Sequence, residues 1–239
     1  MKILHYNIHS WLDAKGLDNV ERVAKLIGDH DPDVVSLVEV DETWGQPSNI
    51  EHIADQLGYH WAFIPAFEYR QQGGFGNALL SRTPFLSVQQ RDLLPPAMYD
   101  GTEPSEPRTV LLAQIDSPHG RIAIGSTHLP RSSIEPRQHA ATQLLNILQR
   151  IEVPWIVCGD FNQTPAWLDD HALGLAPKQP TPTYPASGPI EPIDYAIARD
   201  IPISGRAIPD NDASDHLPIL IETAEPASTP AGRLSDPDR

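Results

Sequence analysis

Hydrophobic residues in this chain come in short unbroken runs that end on a polar side chain able to do chemistry. Trp155-Ile156-Val157-Cys158 runs into Gly159-Asp160-Phe161-Asn162, Val34-Val35-Ser36-Leu37-Val38 into Glu39, and Ile122 to Thr127 into His128. Ile3 to Ile8 carries Asn7, and Ser214-Asp215-His216 opens the run Leu217 to Ile221. Runs of this length read as strands buried on both faces. A carboxylate, amide or imidazole at the edge of such a strand is held rigidly beside low-dielectric protein. Five strands that each deliver one imply a shared site, and the chain reads as an enzyme.

The same pattern orders the rest of the chain. Strands are predicted at 2–8 and 33–39, with Asp31-Pro32 as the break before the second. Between them Leu17, Val20, Val23, Ala24 and Ile27 follow the spacing of one helical face, and residues 48–58 read as a helix stopping at Gly58. Short β-branched or aromatic segments follow near 60–66, 76–82, 85–93, 109–116 and 120–128, with Pro118-His119-Gly120 as a hairpin turn. Glu135-Pro136 then opens a helix whose apolar stripe is Ala141, Leu144, Leu145 and Leu148. After the strand at 155–159 the chain reads as loop-rich, and Pro177 to Pro192 holds too many prolines for a helix or a central strand. Strands at 193–199, 202–208 and 216–223 close the pattern. Two mixed sheets packed on each other, with helices outside, accommodate this order in one domain over 1–223. Residues 224–239, almost without apolar side chains, are expected to form a disordered tail.

Composition narrows the picture. Across 239 residues, 40% hydrophobic content supplies a sizeable core, and no stretch approaches the roughly 20 apolar residues of a membrane span. The N-terminus enters a strand pattern directly, without a signal-peptide layout, so a cytoplasmic location is expected; separately, a monomer is expected. The single cysteine, Cys158, excludes an internal disulfide and a thiolate metal cluster; inside an apolar strand it reads as a packed thiol. A formal charge of −15 keeps the surface soluble and repels a phosphate backbone, which counts against a general nuclease.

The candidate chemical groups are Asn7, Glu39, His128, Asp160, Asn162, Asp194, Asp215 and His216. Oxygen donors with a few imidazoles suit Mg²⁺ or Mn²⁺ better than structural zinc. Magnesium usually takes one or two carboxylates plus substrate phosphate oxygens, a demand that Glu39 with Asn7 meets. A carboxylate and an amide beside a bound phosphate point to phosphoester hydrolysis. Gly-Asp-x-Asn by itself is also plain turn chemistry, and Asp194 after Pro192-Ile193 also reads as a loop cap.

In their order along the chain, Tyr6-Asn7-Ile8, Leu37-Val38-Glu39-Val40, Gly76-Asn77-Ala78-Leu79-Leu80-Ser81-Arg82, Ser126-Thr127-His128-Leu129, Gly159-Asp160-Phe161-Asn162, Ile193-Asp194-Tyr195 and Ser214-Asp215-His216-Leu217-Pro218 resemble the motifs of the endonuclease/exonuclease/phosphatase (DNase I-like) superfamily of metal-dependent phosphoesterases. The resemblance covers about residues 2 to 223. It implies an α/β (α+β) four-layer sandwich, two packed mixed β-sheets flanked by helices. It also implies a Mg²⁺ or Mn²⁺ cofactor held by Asn7 and Glu39, with Asp215 direct or through water. Asp160 and His216 would share the work of activating water, Asp194 would fix the His216 tautomer, Asn162 would stabilise the pentavalent phosphorus, and His128 would contact the scissile phosphate or the leaving group. Arg108 stands about where members carry a phosphate-binding arginine, though a surface ion pair is its other reading. Asn77 reads either as a substrate contact or as a hydrogen-bonded strand residue. His9 shares a strand face with Asn7 and lines the pocket on this reading, while His5 reads as a satisfied interior histidine.

No active-site tyrosine typical of apurinic-site endonucleases is identified, and no long insertion of the kind that grips a duplex. Loops 93–107 and 177–192 are expected to rim the site, the second offering Thr181, Thr183 and Tyr184 to a small or lipidic leaving group. The expected activity is hydrolysis of a phosphomonoester or phosphodiester by in-line attack of water, with a small-molecule or lipid-headgroup diester favoured. The alternatives are a DNA or RNA nuclease of the same family and a non-catalytic binding module on the same fold.

Overall fold

A computed structural model of the chain describes residues 1–42, 48–68, 73–95, 98, 107–131, 133–172 and 180–224. The first half supplies β1 (Lys2–Asn7), α1 (Val20–His30), β2 (Val34–Asp41), α2 (Asn49–Leu57), β3 (His60–Glu68), β4 (Gly74–Ser81) and β5 (Ser87–Asp92). The second half supplies β6 (Thr109–Ser117), β7 (Gly120–His128), α3 (Ile134–Leu148), β8 (Trp155–Asp160), α4 (Pro165–Ala172), β9 (Asp194–Arg199), β10 (Ile203–Ala207) and β11 (Ile219–Thr223). Most segments lie where the hydrophobic pattern predicts them. The differences are instructive. Leu17 is 61% exposed and α1 starts only at Val20, so Leu17 does not belong to the helical face. Helix α4 was not anticipated. It is short, with Pro165 in its first turn, and Leu168 joins the core formed with α3. The tail 225–239 and most of the predicted rim loop 93–107 fall outside the described residues.

The strands form a six-stranded sheet, β10-β11-β1-β2-β4-β3, and a five-stranded sheet, β5-β6-β7-β8-β9. Both are mixed. The pairs β1/β2 and β7/β8 are parallel and the remaining pairs antiparallel. Three apolar cores give four layers. Leu4, Tyr6, Val35 and Leu37 pack on α1 and α2; Trp155, Val157, Val110 and Leu112 pack on α3 and α4; Ile3, Leu79, Leu111, Ile124, Ile156 and Cys158 fill the space between the sheets. Burial on both faces explains why the strands read as continuous apolar runs rather than alternating ones.

Parity along the strands then places the chemistry. Successive side chains alternate faces, so the face that carries Ile3 carries His5 and Asn7, and the face that carries Ile156 carries Cys158 and Asp160. The same alternation takes Ile124 through Ser126 to His128. Register aligns these positions across the sheets: Asn7 pairs with Val38, His128 with Asp160, and Asp160 with Asp194. One end of the inter-sheet layer is therefore polar.

Candidate active site

Two carboxylates meet at Asn7. Its Nδ2 donates to Glu39 Oε1 at 2.9 Å and to Asp160 Oδ2 at 3.0 Å, while its Oδ1 accepts the His9 N–H at 3.1 Å. This amide therefore shows its nitrogen, not its oxygen, to the acids. The local backbone is bent to make the arrangement. Glu39 (φ 56) lies where the β2/β4 register breaks between Leu37 and Val40, and Asn162 (φ 51) follows the end of β8. His9, Ser10 and Trp11 have φ of 51, 54 and 62, a left-handed turn anchored by burial of Trp11. Such conformations cost about 1–2 kcal/mol per non-glycine residue, and they gather here at the polar end of the sandwich.

Asp160 is buried at the tip of β8, with Oδ1 accepting the Asn162 N–H at 2.9 Å. Gly-Asp-x-Asn is thus turn chemistry and part of the cluster at once. Asn162 Nδ2 lies 2.9 Å from Leu129 O and 3.0 Å from His128 Nε2, tying the β8 turn to the end of β7. On the far side of that ring, Arg108 Nη1 reaches His128 Nδ1 at 2.9 Å. A guanidinium has no lone pair, and the Leu129 carbonyl fixes the Asn162 nitrogen towards the ring, so both ring nitrogens of His128 face donors. Burial, followed by the Arg108 and His216 charges, holds His128 in its neutral form, with its pKa well below the usual range.

His216 faces the cluster from the other side. Its Nδ1 meets Asp194 Oδ2 at 2.8 Å and its Nε2 lies 3.7 Å from Asp160 Oδ2. Burial opposes the charged ring, but Asp194 and then Asp160 outweigh it and raise the pKa. Asp160 is itself raised by burial and by the neighbouring Asp194 carboxylate. Ser214 locks this segment in place, donating to Asn7 O at 2.8 Å and accepting the His216 N–H at 3.3 Å.

The remaining predicted residues stand at different distances from this centre. Asp215 lies beside it, its Oδ1 3.8 Å from His9 Nδ1; both side chains are partly exposed. Asn77 is buried, and its Nδ2 donates to Thr109 O at 3.1 Å, bridging the two sheets. With Arg108, His128, Phe75 and Pro107 it borders a shallow recess of about 10 Å³. Within the described part of the second loop, 180–192, Thr183 departs from its expected role as a substrate contact. Thr183 is fully buried and donates to Asp194 Oδ2 at 2.6 Å, while the Tyr184 ring packs 4.7 Å from that of His216. Thr183 is a site residue that sequence reasoning assigned to the wrong partner. Its proline-rich surroundings carry no periodic signal that would have shown which way it turns.

Ligand atoms of Glu39, His128 and Asp160 all lie within 4.8 Å of one another, as do those of Asp160, Asp194 and His216. Neither cluster includes Asp215. An oxygen-rich set of this kind fits a hard divalent cation, and the Asn7 and Glu39 side chains already touch within it. Among the described residues no helix is long and apolar enough to cross a membrane.

The family model described as "Endonuclease/Exonuclease/phosphatase family" matches residues 11–216. No curated protein matches the chain. Among solved structures it is similar to an endonuclease/exonuclease/phosphatase from Beutenbergia cavernae, at 22% identity and TM-score 0.69 over 92% of this chain and 70% of that one. It is similar to the Bacteroides thetaiotaomicron mannosyl-6-phosphatase, at 16% identity and TM-score 0.74 over 94% of this chain and 99% of that one. It is also similar to the human Nocturnin catalytic domain, at 20% identity and TM-score 0.69 over 94% of each. At these identities the likeness is one of fold.

Proposed function

The chain belongs to the endonuclease/exonuclease/phosphatase family, and from that premise we propose that it is a divalent-cation-dependent phosphoesterase, hydrolysing a phosphomonoester or phosphodiester by in-line attack of water. The observation that carries the reading is the convergence of Asn7, Glu39, His128, Asp160, Asn162 and the His216–Asp194 pair at one end of the inter-sheet layer. Glu39 and Asn7 would hold Mg²⁺ or Mn²⁺, with Asp215 within reach of the rim. Asn7 would turn its amide oxygen inward to do so. The bound ion would supply charge to a phosphoryl oxygen.

The chain's own groups divide the rest. Asp160 and His216, 3.7 Å apart, orient and deprotonate the attacking water as a pair, with Asp194 setting the imidazole. His128, held between Arg108 and Asn162, would contact a phosphoryl or leaving-group oxygen. Arg108 itself would meet a phosphate oxygen. Asn162 adds a side-chain amide to the same side. His9 and Asp215 line the edge where substrate enters.

The charge of −15 favours a small-molecule or lipid-headgroup ester over duplex DNA. The similar protein from Bacteroides thetaiotaomicron is a mannosyl-6-phosphatase, a precedent for small phosphate esters on this fold. The test is an assay of the purified chain with Mg²⁺ or Mn²⁺ against p-nitrophenyl phosphate, bis-p-nitrophenyl phosphate, sphingomyelin and plasmid DNA. Turnover of an ester that Asp160→Ala abolishes is expected. Efficient plasmid nicking with the same dependence on Asp160 would overturn the preference against DNA, and no turnover of any ester would overturn the activity.

A further inference from the structure

Asn19 stands at the N-cap of α1, where an asparagine ordinarily turns its side-chain oxygen back to a helix N–H. Here it does not. The side chain makes no capping bond, and its buried Oδ1 has no hydrogen-bond partner among the described residues. The amide nitrogen is spent elsewhere: Nδ2 donates to Ile8 O at 3.0 Å and to Ala213 O, two carbonyls from opposite ends of the chain. Both partners can only accept, so the nitrogen, with its two hydrogens, is the end that faces them. The backbone of Asn19 is held by Trp11 O and by the Val23 N–H, which gives the side chain a rigid base.

The place of these bonds follows from the sheet. Strand β11 pairs with β1 only as far as His5 opposite Ile219. Past that point side chains, not a strand, meet the end of β1 and satisfy its backbone. Ser214 Oγ donates to Asn7 O at 2.8 Å, and Asn19 takes the next carbonyl. Tyr6 donates its hydroxyl to Asn211 Oδ1 at 2.7 Å, and the same oxygen accepts the Ala213 N–H at 3.0 Å. Tyr6, Asn19 and Ser214 are all buried, so water competes little for these bonds. Residues 211–214 are thereby laced to residues 6–8. One segment carries Asn7, and the other leads directly into Asp215 and His216.

We propose that Asn19 is a positioning residue, assisted by Tyr6: by joining Ile8 O to Ala213 O it sets the separation between Asn7 and His216. The inference rests on the reading of Asn7 as a cation ligand and of His216 as one of the pair that activates water. A residue that served only as the cap of α1 would turn its oxygen to the helix and bond nothing at the far end of the chain.

The test uses the full-length chain with Mg²⁺ and bis-p-nitrophenyl phosphate. Asn19→Ser separates the two roles, because serine caps a helix as well as asparagine but its single hydroxyl hydrogen serves one carbonyl at most. It is expected to lower kcat by roughly 10- to 100-fold, the upper figure being the cost of misplacing a reacting group by about 1 Å, with KM unchanged. Tyr6→Phe removes one hydroxyl from the same lacing and should lower kcat in the same way to a smaller extent. Ile53→Val, which thins the core packed on α1 from the side of α2, should leave kcat unchanged. In a His216→Ala background Asn19→Ser should cost no further residual turnover, since it acts through that side chain. A readout free of turnover is amide hydrogen exchange, which should quicken at 211–216 in Asn19→Ser and Tyr6→Phe and stay unchanged in β8.

Wild-type kcat in Asn19→Ser, a raised KM with kcat intact, an equal loss in Ile53→Val, additivity with His216→Ala, or unmoved exchange at 211–216 would each overturn the proposal. If Asn19→Ser fails to fold, Tyr6→Phe carries the same comparison with a single oxygen removed. Undiminished turnover in His216→Ala alone would instead overturn the catalytic reading of His216, and hydrogen exchange would still report on the lacing by itself.

Discussion

Replacing Thr183 with valine keeps its shape and removes one hydroxyl, which makes it a sharp probe of how the loop at 180–192 supports the site. The hydroxyl donates to Asp194 Oδ2 at 2.6 Å and accepts the Asp194 N–H at 3.3 Å, and Thr183 is wholly buried. A hydrogen bond to a charged group contributes about 1.5–3 kcal/mol, and a buried carboxylate oxygen stripped of a donor cannot turn to water for another. The weaker backbone contact adds little, so a loss of about 2–3 kcal/mol is expected. For a chain of this size each kcal/mol moves the melting temperature by about 2–4 °C, which makes the expected drop roughly 4–12 °C. Urea denaturation and thermal melts measure it, and steady-state kinetics with a chromogenic ester should show kcat falling with KM little changed. Thr183→Ser, which keeps the hydroxyl and loses a methyl group, should retain most of the activity. A stability change within 0.5 kcal/mol (roughly the scatter of neutral surface substitutions) would refute the reasoning. So would a raised KM with unchanged stability, the signature of the substrate contact that the sequence suggested.

Other outcomes follow from the packing and from the titrating groups. A Cβ at Gly159 would lie 2.6 Å from Thr127 O, so Gly159→Ala should cost about 1–3 kcal/mol by overpacking, read in a urea melt. Burial pushes the Cys158 thiol up to about 12, so it should ignore a thiol reagent at pH 8 and react at full stoichiometry only after denaturation. Asp13 is lowered from 3.8 to about 2, first by the Leu17 N–H and then by Arg22. Its folded value lies below its unfolded one, so its stabilisation is complete above 3.8 and fades as the pH falls through about 2. Acid melts of Asp13→Asn should lose that part of the pH dependence, and an unchanged acid limb would show that Asp13 does not contribute.

Much of this architecture was readable from the chain. Strand-length apolar runs give two-face burial because a strand covered on both sides has no position that tolerates a charge, and the exceptions at the run ends mark the polar end of the sandwich. Asn7, His128 and Asp160 were legible for that reason. The face shared by His5 and Asn7 was legible as well, because alternation along a strand is a local property. Helix α2 declared its end through Gly58, which adopts φ 72, while the Ser48 hydroxyl that accepts the Glu51 N–H at 3.3 Å was seen only in the structure. Helix α4 did not, since its eight residues carry too weak a stripe and are held by packing on α3.

The sequence by itself determined which side chains each strand would deliver and to which face, because backbone geometry within one segment settles both. It did not determine what those side chains touch. That Asn77 spends its amide on Thr109, that Arg108 reaches His128, and that Thr183 and His5 approach Asp194 from different elements all depend on how the sheets are stacked. Hydrogen bonds between residues far apart in the chain leave no periodic trace in it. Their partners are chosen only when the two sheets close on each other and exclude the water that would otherwise have satisfied each group alone.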